Sequence, residues 1–164
     1  MIRTIQPEDH EDMVQLIAQF RVTMSRLYGR AEPQDVVAAE FELARYDDPS
    51  YKVFIAEDEE KTLIGYLVCR IIEEKVCAES LFVLPEYRRQ GIGTALYEKA
   101  ETLVEDLELE TVYNQVHPNN DRMICFLLKR GYNVLNKIEV RRTRSGETHL
   151  QRIKVGKNTF EYCC

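Results

Sequence analysis

Between Ala78 and Leu96 the chain reads AESLFVLPEYRRQGIGTAL, and little freedom is left in how it folds. An apolar, β-prone run ends at Val83, and Pro85 cannot continue a ladder. After Gly93 the apolar residues return at helical spacing: Ile92, Ala95, Leu96, Ala100, Leu103, Val104 and Leu107. A strand must therefore turn directly into a helix through Arg88-Arg89-Gln90-Gly91-Ile92-Gly93-Thr94. Successive backbone N–H groups at such a helix start converge on an anion, and the helix dipole reinforces them. Gly91 and Gly93 remove Cβ atoms that would block close approach. Arg88 and Arg89 add charge or hold the loop. The turn is built for a phosphate or pyrophosphate. It is not a P-loop, because no Gly-Lys-Ser/Thr follows. It is not a dinucleotide fingerprint either, because Leu96 stands where a third small residue belongs.

The rest of the chain supplies partners for that unit. Ile2 to Ile5 read as a first strand. Pro7 and four acids open a helix carrying Met13, Leu16, Ile17, Phe20, Met24 and Leu27, which stops before Gly29. Pro33 and Asp35 open a weaker helix through Phe41 and Leu43. Lys52 to Ala56, Leu63 to Ile72 and Val76 to Val83 form a meander of strands divided by charged turns. Thr111 to Val116 reads as a strand and Asn120 to Lys129 as a helix. Asn133 to Arg141 and Leu150 to Val155 read as closing strands. The fold class is α+β: a mixed sheet with helices on both faces, in one domain spanning residues 1–164.

Charge and composition narrow the function classes. The chain carries 22 Lys and Arg against 28 Asp and Glu, a net −6. From Lys129 to Lys157, however, nine basic residues face only Glu139 and Glu147. That basic stretch invites a polyanion, but an acidic bulk argues against a nucleic-acid partner. No apolar run approaches the roughly 18 residues of a membrane span. The start, MIRTIQPEDHED, lacks a signal-peptide core, so a cytoplasmic protein is expected. Five cysteines without a CxxC spacing indicate neither a disulfide framework nor a metal site. Cys69, Cys77 and Cys125 read as small core residues, and Cys163 and Cys164 as a frayed end.

The pattern Arg88-x-x-Gly91-x-Gly93, after Phe82-Val83-Leu84-Pro85-Glu86-Tyr87, resembles the acetyl-CoA-binding motif of the GNAT superfamily of N-acyltransferases. Ile64-Gly65-Tyr66 and the Asn120…Lys129-Arg130-Gly131-Tyr132 element extend the resemblance, as does the element order. It implies acetyl-CoA as co-substrate, lying in a splay between the parallel strands Val76 to Val83 and Thr111 to Val116. Its pantetheine amides would pair with the backbone of Leu81, Phe82 and Val83. Its pyrophosphate would rest on the amides of Arg89, Gln90, Gly91, Ile92, Gly93 and Thr94, and Asn120 would reach the pantetheine arm.

The same resemblance implies a ternary complex in which a primary amine attacks the thioester directly. Glu79 is the candidate base, directly or through water. A glutamate stands at the matching place in the polyamine-acetylating branch. Strand alternation puts Glu79, Leu81 and Val83 on one face. Many relatives carry a proton-donating tyrosine where this chain has Leu127; water, another hydroxyl such as Tyr113, a thiolate that leaves unprotonated, or a lost activity would follow. His117, near the mouth of the site, is a second group able to accept a proton. His10 and His149 read as surface. Acids on the first two helices (Glu8, Asp9, Glu11, Asp12, Glu32, Asp35, Glu40, Glu42) would suit a small cationic acceptor. A protein or peptide N-acetyltransferase and a non-catalytic acetyl-CoA sensor are the alternatives. A homodimer through the last strands is open.

Overall fold

Pro7 sets a one-turn 3-10 helix, Pro7–Asp9, that runs straight into α1, His10–Leu27, in a computed structural model describing residues 1–147 and 151–162. Asp9 joins this helix start to β1, Ile2–Thr4. Its carboxylate accepts from the Gln6 amide at 2.7 Å and from both terminal nitrogens of Arg3 at 2.7 and 2.8 Å. The same guanidinium reaches Glu57 at 3.0 Å. Arg3 thus holds two nearly buried carboxylates, and its bonds to Asp9 keep that acid below its ordinary value of 3.8.

A depressed carboxylate stabilises the fold above its unfolded pKa, and the contribution disappears as pH falls through the folded value. Arg3→Ala is expected to cost about 3 kcal/mol at pH 7, because it strands both acids. The gap between variant and wild type should start to narrow as pH falls below about 3.8 and close only as it passes the lower folded value of Asp9. Urea unfolding at pH 7 and at a pH below that folded value measures both; an equal gap at the two pH values would reject the linkage.

Asp35 caps α2, Val36–Ala44, by accepting from the Ala38 amide at 2.9 Å. A single 3-10 turn, Arg45–Asp47, then leads into β2, Tyr51–Glu57. β3, Leu63–Ile72, and β4, Lys75–Val83, complete the meander, and β5 is the short strand Val112–Asn114. The sheet order is β1-β2-β3-β4-β5, antiparallel except for the β4–β5 pair. β3 is buried along most of its length because both of its faces are covered. Met13, Val14, Leu16 and Ile17 of α1, with Ala39 and Leu43 of α2, pack on Tyr51, Val53, Tyr66, Val68 and Phe82. The apolar stripe of α3, Ile92–Asp106, covers the opposite face through Leu96, Tyr97, Ala100 and Val104.

Gly65 is required where β3 meets the end of β4, at Val83, at the far end of this pair from its turn. A Cβ there would stand 2.7 Å from the Phe82 carbonyl oxygen and 3.2 Å from the Val83 Cα. Gly65→Ala should therefore force backbone apart and cost about 2 kcal/mol, read as a lower urea midpoint at unchanged slope. An unchanged midpoint would show that the strands yield freely.

The chain divides into two compact units. The first joins Met1–Thr23 to Pro33–Gln115 and contains the five-stranded sheet. The second joins Met24–Glu32 to the described residues from Val116 onward. It holds α4, Asp121–Lys129, and a separate hairpin of β6, Gln151–Val155, and β7, Asn158–Tyr162.

Four points need correction. The strand read at Thr111 to Val116 is ordered as β only over Val112–Asn114. Asn133 to Arg141 forms no ladder among the described residues; Val134, Leu135 and Val140 lie well exposed, with no neighbouring strand to pair them. β7 went unread, although Gly156 in a two-residue turn with positive φ is a hairpin signal. Cys125 is exposed rather than core, while Cys69 is buried and its thiol is pushed up to about 12 by desolvation. Cys163, Cys164, His149 and Leu150 lie outside the described residues.

Candidate active site

β4 and β5 run parallel only from Val76 opposite Val112 to Ala78 opposite Asn114. Tyr97 of α3 donates to the Asn114 side chain at 2.9 Å and fixes the place where β5 stops. β4 continues to Val83, so from Glu79 onward its outer edge has no strand partner among the described residues. The antiparallel ladder decides what that edge presents. Leu84 donates to the Ile64 carbonyl, and alternation then turns the Phe82 amide and carbonyl toward Tyr66. The groups facing the open edge belong to Leu81 and Val83. The Val83 carbonyl already accepts from Arg88 Nε at 2.7 Å.

That bond explains Arg88. Its guanidinium lies 5.6 Å from the Phe82 ring centroid and ties the loop back to the strand end. Tyr87 adds a second anchor, donating to Asp58 at 3.1 Å. Arg89 and Gly91 then take left-handed conformations, with φ of 62° and 86°. Gly91 is the N-cap of α3, and no side chain caps this helix end. The amides of Ile92, Gly93 and Thr94, which precede the first helical hydrogen bond, are therefore open to a ligand. A Cβ on Gly93 would meet only Val83 Cγ2, at 3.8 Å. The helix start and the open edge of β4 are thus neighbours.

Glu79 occupies an unexpected position. Val68 pairs with Ser80 and Cys69 with Ala78, so Glu79 is the extra residue of a β-bulge. The bulge breaks the alternation that would have placed Glu79 with Leu81 and Val83. Leu81 opposes Leu67 and Val83 opposes Gly65 on the α3 side of the sheet. Glu79 Oε1 instead lies 3.6 Å from Arg70 Nη1, on the side carrying Val68, Tyr66 and the α1–α2 core. The carboxylate and the strand's open edge share one stretch of chain, but the side chain points to the opposite face from Leu81. The bulge begins where the parallel pairing ends.

A network lies around it. The Tyr46 hydroxyl, near Ser80, donates to Glu42 at 2.8 Å, and Glu42 accepts from Arg21 at 2.8 Å. Burial and Glu42 raise the Tyr46 phenol well above its ordinary range. Arg70 and Arg45 both contact Tyr51: the Arg70 guanidinium lies 5.2 Å from its ring centroid, and Arg45 donates to its hydroxyl at 3.2 Å. Sequence reasoning passed over these two arginines. The available signal was Arg70, one charge within the apolar run Leu63 to Ile72.

The other candidates lie elsewhere. Asn120, in the second unit, is the N-cap of α4, accepting from the Met123 amide at 3.2 Å. His117 accepts from the Asn119 amide through Nδ1 at 3.2 Å and packs against Tyr28 and Tyr162; desolvation lowers its pKa. Leu127 is buried in α4. Tyr113, opposite Cys77, lies near the Lys75 ammonium. Among the described residues no group of three or more His, Cys, Asp or Glu is arranged to hold a metal, and no helix is long and apolar enough to cross a membrane.

The family model for the acetyltransferase (GNAT) family matches residues 16–132, which include the splay, the loop and the bulge. The chain belongs to the GNAT family. It is therefore an acyltransferase by family, with a mixed sheet flanked by helices as its fold. A spermidine N(1)-acetyltransferase of Thermoplasma acidophilum is 23% identical over 141 residues, covering 81% of this chain and 88% of that one. The PaiA N-acetyltransferase of the same organism, solved with coenzyme A, superposes with a TM-score of 0.65 at 21% identity, covering 79% and 87%. An aminoglycoside antibiotic 6′-N-acetyltransferase of Acinetobacter haemolyticus gives 0.67 at 15%, covering 88% and 98%. Membership of the family and the coenzyme A complex of the PaiA relative support coenzyme A binding by this chain, whose α3 start leaves its amides uncapped and whose β4 has an unpaired edge among the described residues.

Proposed function

We propose that this chain transfers an acetyl group from acetyl-CoA to a small primary amine, with both reactants bound together and Glu79 as the base. The observation that carries the reading is the bulge at Glu79, which sets a carboxylate where β4 parts from β5. Leu81 and Val83 would offer backbone to the pantetheine arm. The amides of Arg89 to Thr94 would take the pyrophosphate. Acetyl-CoA supplies the thioester, whose C–S bond breaks as the new C–N bond forms. An ammonium must lose one proton before attack and the nitrogen a second afterwards. Glu79 takes the first, and the second accompanies the sulfur, so coenzyme A leaves as the thiol and one proton is released overall. Holding both partners supplies much of the rate, since orientation removes a large entropic part of the barrier. Leu127 cannot deliver the second proton, so water takes that part.

On this reading residues 1–164 work as one acetyltransferase domain in the cytoplasm. Release of the coenzyme A thiol from acetyl-CoA, followed across a panel of small amines and peptide N-termini, tests it. Turnover of a small amine supports the proposal. Turnover of peptides alone would move the assignment to a protein N-acetyltransferase, and acetyl-CoA binding without any turnover would overturn it.

A further inference from the structure

On the α1–α2 side of the sheet, next to Glu79, lies a cavity of about 340 Å³ lined by Ala44, Arg45, Asp48, Tyr51 and Arg70. Its walls follow from β-sheet register. Tyr51 on β2 opposes Arg70 on β3, and the buried Tyr51 ring fixes both guanidiniums, one over its face and one at its hydroxyl. Arg70 Nε is buried and has no hydrogen-bond partner among the described residues. A donor removed from water without a protein acceptor is uncommon in a folded protein, and a water or a ligand oxygen would satisfy it here. The acid in the cavity, Asp48, is engaged with the Ser50 amide at 2.8 Å. Two fixed cations therefore stand beside one carboxylate, with Arg70 Nη1 only 3.6 Å from Glu79 Oε1.

Four of the eight acids that would attract a polycation are engaged elsewhere. Asp9 is held by Arg3, Asp35 caps α2, Glu42 binds Arg21 and Tyr46, and Glu40 lies 3.4 Å from His10. Building on the assignment of Glu79 as base, we infer that the acceptor is an α-amino acid, whose carboxylate binds Arg70 and Arg45 while its amine reaches Glu79. Adjacent positive and negative groups on the protein match a ligand whose amine and carboxylate hang from one carbon. A planar carboxylate suits the guanidinium fork. A doubly charged phosphate would meet Asp48 and Glu79 at the same wall.

The test compares each free α-amino acid with its own carboxamide, and both with spermidine, by initial rates of thiol release from acetyl-CoA. The expected result is turnover of at least one amino acid with kcat/KM about 10- to 100-fold above its carboxamide, the range for losing a charge-assisted bond. In Arg70→Gln and, separately, the exposed Arg45→Gln, that ratio should fall toward one, mainly through KM. Thermal unfolding of both variants verifies that they fold. A carboxamide or spermidine used as well as the acid would overturn the inference while leaving the transferase assignment standing. No thiol release with any amine, from protein that binds acetyl-CoA, would overturn the transferase assignment and the inference with it.

Discussion

Glu79→Gln is expected to lower kcat/KM for the acceptor amine about 100-fold or more while leaving the affinity for acetyl-CoA unchanged. Glutamine keeps the size and hydrogen-bonding shape of the side chain and removes only its capacity to take a proton. Glu79 is exposed, and its partner Arg70 stays in contact with the Tyr51 ring, so the fold has little reason to respond. Acetyl-CoA should not respond either. The bulge turns Glu79 away from the face that carries Leu81, Val83 and the start of α3. The measurement is steady-state kinetics for the amine together with calorimetric titration of acetyl-CoA. A rate within a factor of a few of wild type would remove Glu79 as the base. Weakened acetyl-CoA binding would instead place the carboxylate on the cofactor side of the sheet.

Gly93→Ala should move stability and binding in opposite directions. Gly93 lies in the first turn of α3, where alanine is the better helix former by up to about 1 kcal/mol. The new methyl would meet only Val83 Cγ2, at an ordinary 3.8 Å, so the free protein should become slightly more stable. The same methyl would stand among the open amides and keep a phosphate from close approach. Losing one charge-assisted hydrogen bond there corresponds to about a 10- to 100-fold weaker acetyl-CoA affinity. Gly91→Ala is the contrasting variant. Nothing lies within 4 Å of its added Cβ, yet φ of +86° makes any side chain strained, by roughly 1–2 kcal/mol. Stability should therefore fall at 91 and rise at 93. Acetyl-CoA affinity unchanged in Gly93→Ala would detach the pyrophosphate from this loop.

Much of this architecture could be read from residue order. Pro85, Gly91 and Gly93 announced a strand, a turn and a helix start, and the periods of α1 and α3 were plain because each buries one stripe. The failures share a cause. Whether Asn133 to Arg141 becomes a strand depends on a partner, and an alternating pattern contains no information about one. The bulge at Glu79 was hidden for a related reason. It is a mismatch between two strands, visible only when β3 and β4 are laid side by side. Arg45 and Arg70 are far apart in the chain and meet only through Tyr51. Phe82 matched the motif by identity, but ladder alternation directs its backbone to Tyr66.

The bulge also makes position 79 answerable to chain length as well as to residue type. Deleting one residue from β4 on the turn side of Glu79 would not need to touch the glutamate itself. The ladder could then close into regular register, and the carboxylate would rotate to the α3 face, away from Arg70. A descendant with that deletion would keep glutamate, arginines and glycines in an alignment, yet its acid would face the wrong compartment of the molecule. Among diverging copies of this chain, a gap within residues 75–83 should therefore predict a change of chemistry better than most substitutions do.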